Sequence, residues 1–407
     1  MKKFLLLMFI PVLFFAQPKV KTGIEVLRDR GFDIIKGKRV GLVTNPTGVD
    51  SKLVSTVDIL FNAKGVKLTA LFGPEHGVRG DISAGDDVDN SKDRETGVPV
   101  FSLYGKTYKP TPEMLKNVDV LIYDIQDIGC RSYTYISTLG KVMEACAENN
   151  IPLIVLDRPN PLNGNRIEGN IVEDGFISFV SAFKIPYVYG LTCGELAKLV
   201  NEEGLLNNHK KCSLTVVPMK GWKREMKFEQ TGLPWVPTSP HLPHSNLAEN
   251  YVTTGILGEL GIISEGVGYT LPFELFGAEW IDGATLAKKL NDLGLQGVIF
   301  RPLTFKPYYG DHSKENLHGV QIHIIDSKKL NLMSLQYLFL QVHHEMYPDK
   351  NIFEMSKSRW DMFDKVNGTS KIREMFSKNY KYSDIQDYLE KDIKSFKKLS
   401  QKYYLYK

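Results

Sequence analysis

Between residues 38 and 160 the chain alternates short, nearly continuous apolar runs with polar loops and stretches of helical periodicity. The runs are Arg39-Val-Gly-Leu-Val-Thr44, Val66-Lys-Leu-Thr-Ala-Leu-Phe72, Val98-Pro-Val-Phe-Ser-Leu-Tyr104, Val118-Asp-Val-Leu-Ile-Tyr123 and Pro152-Leu-Ile-Val-Leu-Asp157. A strand with one wet face would alternate apolar and polar residues, so runs like these belong to a parallel sheet covered on both sides. Leu53 to Ala63 and Tyr135 to Glu148 carry apolar residues at helical spacing, as in Ile136, Leu139, Val142, Met143 and Cys146. The repeating βαβ order predicts a doubly wound α/β fold with a mainly parallel sheet.

Beyond residue 160 the pattern thins. Thr192 to Glu203 predicts a helix and Leu214 to Pro218 a strand, followed by a proline-rich extended passage from Gly232 to His244 and a glycine-rich segment from Gly258 to Gly277. From about residue 280, a helix, strands at Val298 to Phe305 and Val320 to Ile325, and further helices predict a second, smaller α/β unit, with the boundary near residue 265. Ile385, Tyr388, Leu389, Ile393, Phe396 and Leu399 form one stripe, which predicts a single packed terminal helix.

The first residues bear on location. Lys2 and Lys3 precede an apolar run from Phe4 to Phe15, and a small residue, Ala16, ends it. This is the pattern of a secretory leader cleaved after Ala16, and the run is shorter than a membrane span needs. The expected domains are therefore a leader at 1–16, a doubly wound α/β unit at 17–265 and a smaller unit at 266–407, in a mature protein located outside the cytoplasm, in the periplasm. Losing the two lysines takes the formal charge from +4 to +2. So balanced a chain lacks the broad basic face that nucleic-acid binding requires. Its 43% hydrophobic content excludes disorder. The four cysteines, Cys130, Cys146, Cys193 and Cys212, are widely spread without a CxxC, so they read as buried thiols with at most one bridge.

In a parallel sheet the loops after the strands share one edge, which is where open α/β sheets bind ligands. Here those loops are Asn45-Pro-Thr-Gly48, Gly73-Pro-Glu-His-Gly77, Asp124-Ile-Gln-Asp-Ile-Gly129 and Arg158-Pro-Asn-Pro161. Glu75 is the sharpest candidate, since glycines and a proline hold it in a restricted turn straight after an apolar strand, as a general acid requires. Asp124 and Asp127 offer the second carboxylate that hydrolysis of an acetal needs. Asn45, His76, Gln126, Tyr133, Tyr135, Asp157 and Glu265 are candidate substrate contacts. Arg79, Arg131 and Arg158 are candidate clamps for an anionic group. Trp222, Trp235 and Trp280 are candidates for sugar platforms or for packing.

Other chemistries lack their patterns. No G-x-G-x-x-G follows a strand, and the phosphate-binding loop and the G-x-S-x-G elbow are absent. Asp87-x-Asp89-x-Ser91 lacks the glycine and the final glutamate of a calcium loop. His241 and His244 are separated by Leu-Pro, which excludes helical zinc spacing. Neither a metal nor a cofactor is expected.

Five blocks carry a family resemblance: Leu71-Phe-Gly-Pro-Glu-His-Gly77, Thr96 to Gly105, Asp124 to Gly129 with Arg131-Ser-Tyr-Thr-Tyr135, Val155-Leu-Asp-Arg-Pro-Asn-Pro161, and Gly194-Glu-Leu-Ala197. In this order they resemble the NamZ-type exo-β-N-acetylmuramidases, and the resemblance runs from about Gly23 to Tyr406. It implies a Rossmann-like domain with a smaller C-terminal domain, and release of terminal N-acetylmuramic acid from peptidoglycan fragments. It also implies that Glu75 is the catalytic glutamate; if the substrate is a muramyl sugar, the expected holders of its lactyl carboxylate are Arg79 and Arg131. The chain departs from the family at Thr238-Ser-Pro-His241, where many members have Pro-Ser-Pro-Asn, and at Val267, where they have arginine. The residues alone leave two rivals open: a sugar-binding protein without activity, and a hydrolase of another amino sugar.

Overall fold

The computed structural model describes residues 20–80, 91–207 and 209–407; the expected leader at 1–16 and the calcium-like run from 87 to 90 lie outside them. Seven strands form the larger sheet: β1 (Arg39–Thr44), β2 (Lys67–Gly73), β3 (Ser91–Lys92), β4 (Pro99–Ser102), β5 (Val120–Asp124), β6 (Leu153–Leu156) and β7 (Leu214–Val217). Their order is β3-β4-β2-β1-β5-β6-β7, and every neighbouring pair is parallel except the short edge pair β3–β4. Residues of β5 and β6 are buried without alternation, because helices cover both faces. On one face Phe72, Leu121, Tyr123 and Val155 pack on helices Tyr135–Asn149 and Cys193–Glu202. On the other, Val40, Leu42, Ile122 and Ile154 pack on Gly23–Asp29 and Thr56–Phe61.

This is the expected doubly wound, Rossmann-like sheet. Winding proceeds from β1 through β2 to β4, then restarts on the other side of β1 with β5. The switch point therefore lies between the ends of β1 and β5, with Thr44 donating to the Asp124 carbonyl at 2.8 Å.

The smaller unit has an antiparallel sheet of β8 (Leu275–Ala278), β9 (Val298–Phe305) and β10 (Leu317–Ile324), ordered β8-β10-β9. Helix Leu247–Gly258 buries Val252 and Ile256 in the same core as Phe276, Val320 and Phe339. Packing on the smaller sheet thus begins near residue 247.

The expected single terminal helix is two helices, Ser383–Glu390 and Ile393–Ser400. Ile385 and Leu389 serve the smaller core, whereas Phe396 serves the larger one. Between the two, Asp392 accepts from the Ile171 amide at 3.3 Å, so the break lets one apolar stripe supply two cores. The chain then ends on the larger sheet. Leu405 N donates to Glu195 at 2.8 Å, Tyr406 Oη donates to Asp157 at 2.5 Å, and Met219 N donates to Tyr406 Oη at 2.9 Å. Beside it Lys21 N donates to the Lys220 carbonyl at 2.9 Å.

All four cysteines are free and buried. Among the described residues no helix is long and apolar enough to cross a membrane.

Candidate active site

Glu75 sits in a turn that closes directly on the end of β2. Gly77 N donates to the Pro74 carbonyl at 2.9 Å, and both His76 (φ 71°) and Gly77 (φ 74°) are left-handed. A Cβ on Gly73 would come within 3.0 Å of Val78 N, so the turn can be this tight only with glycine there. Glu75 and His76 are half-buried. Thr134, beside the start of helix Tyr135–Asn149, donates to Glu75 Oε2 at 3.4 Å. Tyr104, just past β4, hydrogen-bonds the same carboxyl; burial, then the Glu75 charge, pushes its phenol up to about 12. No cation pairs with Glu75 among the described residues.

Tyr133 and Tyr135 form the next wall. Their rings meet edge-to-face at 5.2 Å. The Tyr133 hydroxyl donates to Thr238 Oγ1 at 2.7 Å and that of Tyr135 to the Thr238 carbonyl. Burial holds both phenols well above their ordinary value, and the negative charges of Glu75 and Asp127 both add to it. The two carboxyls therefore act on one tyrosine pair. Thr238 begins the loop that leads to His241, whose Nε2 lies 2.7 Å from the Tyr309 hydroxyl of the smaller unit. Burial, then the neighbouring His76, lowers the His241 pKa. The cleft thus runs from the sheet edge to the β9–β10 loop.

Three buried polar atoms here lack a hydrogen-bond partner among the described residues: Asn45 Nδ2, His76 Nδ1 and Asp127 Oδ1. Asn45 Nδ2 lies close to the Tyr135 hydroxyl without forming a well-shaped bond. Asp127 receives the Tyr189 hydroxyl and the Gly129 amide (2.7 Å) on Oδ2, and burial still pushes its carboxyl up to about 6.

The other ionisable candidates are committed to the scaffold. Asp124 is fully buried and accepts from Arg158 at 2.5 and 3.0 Å and from Thr56 at 2.6 Å, so it has no oxygen to spare for catalysis. Arg158 also donates to the Val49 carbonyl at 2.8 Å and is no anion clamp. Asp157 accepts from Thr192, Gly194 N, Arg158 N and Tyr406, which makes it an anchor for a helix start and the chain end. Arg79 is forked on Asp93 at 2.8 Å and Asp58 at 3.2 Å, which raise its pKa and fix the segment after Glu75. Arg131 is 0% exposed and donates to the carbonyls of Asn170, Ile185 and Val366 and to Ser181. Burial lowers its pKa to about 10, and no carboxylate meets it among the described residues. Gln126 spends its amide on the carbonyls of Asp127 and Pro159. The tryptophans pack: Trp222 on Tyr406, Trp235 on Phe228, and Trp280 against His343.

At the switch point itself the crevice is filled. Thr47, Gln126, Arg158 and Trp235 enclose only about 20 Å³. Glu265 lies elsewhere, in a cavity of about 440 Å³ with Glu259, Val267, Asp311, His312 and Arg359. Burial pushes its carboxyl up to about 7. Tyr251 joins this cavity to the cleft, since it lines the cavity while its ring meets Tyr133 at 5.6 Å.

Tyr104, Thr134, Thr238, His241 and Tyr309 were not singled out from the sequence as site residues. Tyr104 obeys the strand-end rule that found Glu75. Thr134, Thr238 and His241 lie in blocks quoted above, but their contacts with Glu75, the tyrosine pair and Tyr309 are long-range, as is the contact that brings in Tyr309.

The comparisons with known proteins agree with this fold. The family model described as "Exo-beta-N-acetylmuramidase NamZ, N-terminal" matches residues 40–246, and its C-terminal counterpart matches 249–406. The chain is 47% identical over 390 residues to "Peptidoglycan beta-N-acetylmuramidase NamZ" of Bacillus subtilis, covering 96% of this chain and 92% of that protein. Two crystal structures of DUF1343 family proteins from Bacteroides fragilis are similar, with TM-scores of 0.92 and 0.78 at 58% and 30% identity. Each alignment covers 96% of this chain and 99% of the other. The protein is therefore a glycosidase on a Rossmann-like scaffold. It belongs to the NamZ exo-β-N-acetylmuramidase family.

Proposed function

We propose that this glycosidase is exported behind the leader at 1–16, works in the periplasm, and releases terminal N-acetylmuramic acid from peptidoglycan fragments. The observation that carries the reading is Glu75: a rim carboxylate in a rigid turn, oriented by two hydroxyls and free of any cation among the described residues. Glu75 is the general acid/base that protonates the leaving oxygen, and Asp127, with one oxygen unpaired, is the second carboxylate. Asn45 and His76 bring their unpaired nitrogens to the sugar's hydroxyl and acetamido groups. The name of the B. subtilis relative supports the substrate.

The test incubates purified residues 17–407 with a chromogenic β-N-acetylmuramide and with a panel of other nitrophenyl glycosides. Turnover of the muramide alone, lost in a folded Glu75→Gln, is expected. Wild-type turnover of a different glycoside would remove the substrate assignment, and an active Glu75→Gln would remove the acid/base assignment. Fractionation of the native host places the protein, and retention in the cytoplasm with an uncleaved N-terminus would overturn export.

A further inference from the structure

The connection between β9 and β10 is far longer than an antiparallel hairpin needs. It spans residues 306–316, where hairpins usually use about two to five residues, and compact loops of this length whose ends lie close together are frequently functional. The loop is held in place. Tyr308 N donates to the Gly268 carbonyl at 2.7 Å, and the Tyr309 carbonyl approaches Gly268 so closely that a Cβ there would lie 2.1 Å from it. Yet its aromatic side chains are left in water, with Tyr308 75% exposed and Tyr309 54% exposed.

Tyr308 stacks on Tyr269 with centroids 6.1 Å apart and planes 18° apart. Together with Phe305 and Pro307 they floor a groove of about 590 Å³ that Lys306 and Lys314 flank. Neither lysine has an acidic partner among the described residues. An apolar ring floor fits the flat face of a pyranose, and free ammonium groups at its edge select a sugar that carries a carboxylate. The next residue, Tyr309, joins the loop to His241 in the cleft.

We propose that this groove is a distal glycan subsite which holds the next carboxylate-bearing muramyl sugar on the leaving-group side of the cleft. Tyr269 and Tyr308 stack on that sugar, and Lys306 and Lys314 pair with its lactyl carboxylate. The proposal rests on the muramidase reading above for the identity of the chain, and it makes the smaller domain a sensor of glycan length.

Calorimetry in a Glu75→Gln background tests it. The probes are the disaccharide N-acetylmuramyl-N-acetylglucosamine, the tetrasaccharide of two such units, and an N-acetylglucosamine tetramer. The tetrasaccharide is expected to bind at least about tenfold more tightly than the disaccharide. Tyr308→Ala, and Lys306→Gln combined with Lys314→Gln, should each remove most of that gain while changing disaccharide affinity by less than about twofold. The lysine pair should leave the uncharged tetramer unaffected. Equal affinity for the two muramyl glycans, or variants that preserve their ratio, would overturn the subsite. Were the wild type to hydrolyse no muramide while the ratio and its loss held, the function would fall and the subsite would stand.

Discussion

Asp124, the last residue of β5, and Arg158, two residues past the end of β6, meet as a buried ion pair at 2.5 Å. Two residues of catalytic type are thereby consumed in fixing the rim on which Glu75 and Asp127 stand. Removing one partner of a buried pair strands the other charge, at about 3–5 kcal/mol. Asp124→Asn should therefore lower the urea midpoint steeply while turnover per folded molecule stays near wild type. A stable variant with its turnover abolished would return Asp124 to the chemistry.

Arg131 answers to a similar experiment with a different expected reason. Arg131→Met keeps the volume but orphans the carbonyls of Asn170, Ile185 and Val366. Leaving such groups unpaired should cost at least about 2 kcal/mol. KM for a muramide should not move. A raised KM at unchanged stability would show that the guanidinium reaches substrate.

The pH dependence of stability has a sign that Asp127 sets. Its carboxyl titrates at about 6 in the folded protein against the ordinary 3.8 of a solvated aspartate, so between these values the folded form binds more protons than the unfolded one. The associated stability is full below about pH 4 and is lost as pH rises through 6, at no more than about 1.4 kcal/mol per pH unit. In urea titrations from pH 4 to 7, wild type should lose stability relative to Asp127→Asn as pH rises. Parallel curves would mean that Asp127 is already ionised across the range.

Gly268→Ala probes the loop that carries Tyr308. With φ at 88° and the Tyr309 carbonyl where the new Cβ must go, the substitution should displace the loop and destabilise the protein by more than about 1 kcal/mol. Intrinsic tyrosine fluorescence and melting temperature would register it, and an unaltered melt would show that the loop yields without resistance.

The larger sheet was legible because a strand buried on both faces leaves a nearly unbroken apolar run, and β1, β5 and β6 each do so. Glu75 was legible because glycine and proline on either side of a carboxylate make a conspicuous turn. The charged residues around it were not. Sequence shows that Arg131 and Arg158 lie near strand ends, but whether a guanidinium faces water or a set of carbonyls depends on segments 39 to 235 residues away, such as Asn170 and Val366. The terminal stripe misled for a related cause: Ile385 and Phe396 share a periodicity without sharing a core.

The junction at Met219 and Lys220 receives both extremities of the described chain, Lys21 on one residue and Tyr406 on its neighbour. The backbone from 21 to 406 is accordingly close to a closed ring, and the smaller domain is an excursion tethered at two points instead of hanging from one. Such a ring can be covalently sealed by a short linker and reopened at an exposed turn without parting the two walls of the cleft. By the same token, neither domain expressed alone would inherit a complete boundary: the larger would be left with Asp157 and Glu195 facing empty space where Tyr406 and Leu405 belong.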